Sequence, residues 1–162
     1  MRYSKPYRKL AEDLNMQAYQ TIVVAIDLSD ESDTVVERAV SIAENHDAKL
    51  HILHVVESLT LAYGGDIPMD FTDIQEQLQA QARQRLSQFA GRYQIPADNV
   101  HVELGSIEKT ILDQADKLDA DLIVVGSHTR SGLALLLGST ARGLVPGAHC
   151  DVLAVKVDQK GN

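Results

Sequence analysis

Short β-branched and aliphatic runs recur along the chain, each followed by a stretch of helical periodicity, and this alternation restricts the fold more than any other feature. Thr21-Ile22-Val23-Val24-Ala25-Ile26 and Leu122-Ile123-Val124-Val125 are too short and too β-branched to favour helices, so both read as strands buried on two faces. Leu50 to Val56 is a further strand, Val100 to Leu104 a short alternating one, and Asp151 to Val157 the last. Between them, Val36, Ala39, Val40 and Ala43 form an apolar stripe on a helix over about 30–45. Ile74, Leu78, Ala82, Leu86 and Phe89 do the same over 73–93. Ile107, Ile111, Leu112, Ala115 and Leu118 mark a third helix, and Ser139 to about Val145 a short fourth, ended by Pro146-Gly147.

Strands alternating with helices imply right-handed crossovers. The expected architecture is α/β: an open five-stranded parallel sheet of order 3-2-1-4-5, with helices on both faces. The chain reverses direction between the first and fourth strands, and ligands of open sheets bind at that switch point. Asp27 closes the first run and Gly126 the fourth, so both are expected to point into one crevice. Ser127-His128-Thr129-Arg130-Ser131-Gly132 follows, then an apolar link, then Gly138-Ser139-Thr140 at a helix start. A strand, a Gly/Ser/Thr-rich loop and a helix start together suggest an anion cradle. Asp27 is placed to accept from a ribose hydroxyl, a helix-capping or turn role being the plainer alternative. Residues 1–19 read as a flexible or surface-docked extension, 20–157 as the domain and 158–162 as a tail. Glu57 to Thr72, with Gly64-Gly65 and Pro68, reads as a long connection with partial packing.

Composition limits the functions. With 15 Lys and Arg against 23 Asp and Glu, the formal charge is −8, which would repel a nucleic-acid duplex but leaves a small nucleotide open. No apolar run is long enough to span a membrane, and the first residues lack a signal-peptide core. One cysteine, Cys150, fits a reducing cytoplasm and a small buried role.

The runs VVAIDLSDES, LHVVE, DLIVVGSHTRSGLALLLGST and CDVLAVKV, in that order, resemble the universal stress protein family, its A-type branch in particular. The likeness covers about residues 20–157. It implies the fold argued above, a cytoplasmic location, a homodimer through the last strand and no ordinary enzymatic activity, slow ATP hydrolysis being left open. Some similar proteins bind ATP through Gly-x2-Gly-x9-Gly-(Ser/Thr). Gly126 and Gly138-Ser139 match that loop; Thr129 replaces its second glycine, with eight residues between Thr129 and Gly138. If Thr129 must take a positive φ, its branched side chain costs on the order of 1–2 kcal/mol. The implied ligand is ATP or AMP, with Mg2+ accompanying ATP. The implied contacts are Ala25, Asp27, Val55, Val125, Gly126, Thr129, Arg130, Gly138, Ser139 and Thr140. The implied dimer interface contains Leu153, Val155 and Val157, unless these face the protein's own helices.

Competing readings are weaker. The same dimer without nucleotide would be a protein-interaction module. A phosphotransfer receiver domain needs an acidic pair at the first strand and a phosphoacceptor after the third, where Leu104-Gly105-Ser106 stands instead. Ser29 and Ser139 read as helix caps, since no Gly-x-Ser-x-Gly elbow surrounds either. No Gly-Lys-(Ser/Thr) completes a P-loop, and no acid near the loop is an evident base for hydrolysis. His51 and His54 point to opposite faces of a strand, and no residue set has metal-ligand spacing.

Overall fold

A computed structural model describes residues 18–60, 70–128 and 139–157. The elements are β1 (Thr21–Ala25), α1 (Ser32–His46), β2 (Lys49–Glu57), α2 (Thr72–Arg92), a single 3-10 turn (Ala97–Asn99), β3 (Val100–Gly105), α3 (Ile107–Lys117), β4 (Leu122–His128), α4 (Ser139–Leu144) and β5 (Asp151–Val157). All strand pairs are parallel and the order is β3-β2-β1-β4-β5, as the alternation of elements demands.

The continuous apolar runs take the centre. Val24 of β1 lies between Ile52 and Val124, and all three are fully buried. Each such side chain contributes roughly 1.5–3 kcal/mol by leaving water. Successive side chains feed two cores. Ile22, Val24, Ile52, Val56, Leu122 and Val124 pack with α1 and α2 on one face. Val23, Leu53, Val55, Ile123 and Val125 pack with α3 and α4 on the other. At the entry edge, the Asp121 carboxylate accepts the backbone N–H groups of Gln20 (2.7 Å) and Thr21 (2.9 Å), which fixes where β1 starts beside β4.

Three expectations need correction. β4 does not stop at Gly126 but continues through Ser127 and His128, paired with Val155, Lys156 and Val157. Gly126 is therefore a strand residue. A Cβ added there would lie 3.2 Å from Val35 Cγ2 and 3.5 Å from Val157 Cγ2, so the glycine admits the close approach of α1. The stripe on α2 divides: Ala82, Leu86 and Phe89 are core, whereas Ile74 and Leu78, on the first turns, are exposed. Ser29 does not cap α1, since the helix begins at Ser32 and the Ser29 hydroxyl has no hydrogen-bond partner among the described residues.

Candidate functional site

The crevice forms where β1 and β4 send the chain to opposite faces. β1 ends at Ala25, although the Ile26 N–H still donates to Leu53 O at 3.0 Å. The chain then turns sharply at Leu28, whose φ of 61° is left-handed. For a residue with a Cβ this costs on the order of 1–2 kcal/mol. Asp27 organises the corner: its Oδ1 accepts from the Ser29 N–H (3.0 Å) and from the Ser32 Oγ–H (3.0 Å). Leu28 and Ser32 are buried there, while Asp27 stays exposed.

Two distant side chains take up the flanking carbonyls. His54 Nδ1 lies 2.8 Å from Ile26 O. A carbonyl only accepts, so Nδ1 carries the proton and the tautomer is settled. Arg85, on α2, donates to Leu28 O at 2.7 Å. The same helix reaches the start of α1, where Tyr93 donates to Asp33 at 2.7 Å and Arg92 pairs with Asp33 at 3.1 Å. Burial and the Asp33 carboxylate push the Tyr93 phenol well above its ordinary range.

Behind this corner is a cavity of about 420 Å³. Ala25, Asp27, Val55, Val125, Gly126 and Thr140, named from four separate segments of sequence, all line it. Ser139 opens α4 beside Thr140 but does not line the cavity. Thr129, Arg130 and Gly138 lie outside the described residues. The six-residue α4 is too short to supply much of a dipole. Sequence reasoning missed the rest of the wall: His54 one position before Val55, Leu78 of α2, and Ile107 and Ile111 at the start of α3. It also missed that Glu31 and Glu57 join Asp27 in the lining, which among the described residues contains no Lys or Arg. The apolar floor suits a flat ring, and the carboxylates suit hydroxyl or amino donors.

Leu153, Val155 and Val157 sit on the face of the edge strand β5 that packs with α1. Val155 and Val157 are buried there, and Leu153 partly so. Cys150 is partly buried, and burial together with Asp116, Asp151 and Asp121 pushes its thiol up, away from a reactive thiolate. On the other side of the sheet, His51 Nδ1 and His101 Nε2 are 3.0 Å apart. Burial pushes both imidazoles down, helped at His51 by His101 and Lys49; at His101, Glu103 opposes the shift and Lys117 adds to it. Among the described residues no three His, Cys, Asp or Glu side chains could hold a metal ion. No described helix is long and apolar enough to cross a membrane.

Comparison with known proteins decides the family. The model of the universal stress protein family matches residues 18–156. The chain belongs to the universal stress protein family. Universal stress protein A homologs 1 and 2 of Coxiella burnetii are 38% and 40% identical, over 85% and 88% of this chain and 96% and 98% of theirs. Among solved structures, universal stress protein UspA of Lactobacillus plantarum has a TM-score of 0.65 at 28% identity, covering 85% of this chain and 97% of that one. A universal stress protein solved in complex with cAMP has a TM-score of 0.59 at 28% identity, over 86% of this chain and 98% of that one. A longer universal stress protein of Pseudomonas aeruginosa matches at 26% identity and a TM-score of 0.65; this chain, 85% covered, spans about half of it (48%).

Proposed function

We propose that this universal stress protein binds an adenine nucleotide, ATP or AMP, at the switch point between β1 and β4, as a cytoplasmic homodimer that responds to occupancy rather than turning the ligand over. The observation that carries this reading is the convergence of Ala25, Asp27, Val55, Val125, Gly126 and Thr140 on one cavity of about 420 Å³. That volume falls within the range of small-molecule sites. The base would lie against Ala25, Val55 and Val125, with Asp27 accepting from a ribose hydroxyl. A relative solved with cAMP supports an adenine-containing ligand. Because Asp27, Glu31 and Glu57 line the cavity, a triphosphate would bind with Mg2+, whereas AMP carries less charge to oppose them. For the dimer, the edge strand β5 would offer its backbone together with Val152 and Ala154, since Val155 and Val157 are occupied within the protein's own core.

Mass spectrometry of denatured, freshly purified protein, followed by calorimetric titration with AMP and with ATP with and without Mg2+, tests the reading. A co-purifying adenine nucleotide or a saturable heat supports it. Absence of both would leave the dimer as a protein-interaction module. A phosphate-release assay on the wild type against Asp27→Ala tests the absence of turnover; release that depends on Asp27 would overturn it.

A further inference from the structure

Asp27 stands in a corner whose shape is set from outside it. Its neighbours' carbonyls, Ile26 O and Leu28 O, are held by His54 of β2 at 2.8 Å and by Arg85 of α2 at 2.7 Å. Between these two anchors Leu28 is kept at a φ of 61°, a conformation a leucine does not adopt unconstrained. Neither His54 nor Arg85 is adjacent to Asp27 in sequence; Arg85 is 57 residues from the carbonyl it holds.

We propose that Arg85 and His54 are positioning residues for the ligand-facing carboxylate: by holding the carbonyls on either side of Asp27 they fix the left-handed Leu28 corner that aims it at the cavity mouth. The inference rests on the nucleotide reading for its consequence, though not for its geometry. Arg85 acts from behind, where the described structure gives it no place in the cavity lining. His54 acts from the wall; with its Nδ1 proton committed to Ile26, the corner and the ring's orientation are fixed together. The chemistry is suited to the task. A guanidinium N–H to a carbonyl is a charge-assisted bond, stronger than a neutral pair and directional. Freed from it, Leu28 would relax towards ordinary φ values and carry Asp27 with it.

Arg85→Met keeps the aliphatic stem and removes the donor, and Arg85→Lys restores a donor. Two readouts separate positioning from general support. Amide hydrogen exchange at Ser29 and Ser32, whose N–H groups bond to Asp27 Oδ1 and Ser29 O, reports the corner without any ligand. Exchange there is expected about tenfold faster in Arg85→Met, with core amides of β1 unchanged and with recovery in Arg85→Lys. Calorimetry with AMP reads the consequence: roughly tenfold weaker binding in Arg85→Met, and less than about twofold further loss when Arg85→Met is added to Asp27→Asn. His54→Leu is expected to behave as Arg85→Met in exchange. Unchanged exchange at Ser29 and Ser32 in both variants would overturn the proposal, as would losses of affinity that add fully in the Asp27→Asn background. If the wild type binds neither AMP nor ATP with or without Mg2+, the nucleotide reading fails, and exchange alone decides the positioning role.

Discussion

Adding one carbon at Gly126 tests how closely α1 approaches the sheet where the cavity begins. In Gly126→Ala the new Cβ would meet Val35 Cγ2 at 3.2 Å, tighter than ordinary van der Waals contact, and Val157 Cγ2 at 3.5 Å, which is ordinary. Val35 is 3% exposed on a helix packed against the sheet, so it can yield only by shifting its helix by a few tenths of an ångström. Overpacking of this kind costs typically about 1–3 kcal/mol. Replacing a strand glycine returns roughly 0.5–1 kcal/mol by lowering the freedom of the unfolded chain. Taking the middle of each range, the net expectation is a loss of about 1 kcal/mol, or roughly 2–4 °C in Tm for a domain of this size. Urea denaturation of the wild type, Gly126→Ala, Val35→Ala and the double variant measures it. Room made at residue 35 should absorb the new methyl, giving a coupling of about 0.5 kcal/mol or more. A Gly126→Ala protein as stable as its parent, or four stabilities that add, would show that the contact does not constrain the strand.

The His51–His101 pair predicts a pH dependence. Burial holds both native pKa values below the ordinary value near 6.5 that the unfolded chain keeps, so acid protonates the unfolded chain first. Stability from the pair is therefore complete above about pH 7 and is lost as pH falls through the imidazole range. Replacing both with Gln should flatten the change in urea midpoint between pH 7.5 and 5.5; an unchanged slope refutes the assignment. On α2, Leu86→Ala should cost about 2–5 kcal/mol, because Leu86 is fully buried. Ile74→Ala, 49% exposed on the same helix, should stay within about 0.5 kcal/mol, and equal losses in urea denaturation would contradict the split of the stripe.

The strand order and the two-layered core were legible because β-branched runs and helical stripes are local patterns with different periods, and their strict alternation leaves one sensible topology. Within the site, Asp27 was named from its place at the end of the first strand, and Val55 and Val125 from the family resemblance. Contacts between distant elements were not legible. Nothing in the spacing ties Arg85 to Leu28, since that bond depends on how α2 lies over the first helix. His51 and His101 read as isolated residues until β2 and β3 are brought side by side in register. Gly126 looked like a terminator because glycine often is one, and the demand it meets comes from Val35, 91 positions earlier. Ile74 and Leu78 keep the helical period of a core stripe, yet periodicity alone does not say where a sheet stops supporting a helix.

Helix α2 bears on the cavity in two ways: Leu78 stands in its wall, and Arg85, two turns on, grips from outside the corner that carries Asp27. With a nucleotide in the cavity as proposed, ligand and helix would be thermodynamically linked partners. A second molecule that seizes the exposed first turns of α2 and alters nucleotide affinity by some factor must find its own affinity altered by that same factor when nucleotide arrives. In such a protein the message need not travel through the sheet at all; a single helix, touched at one end and read at the other, is enough.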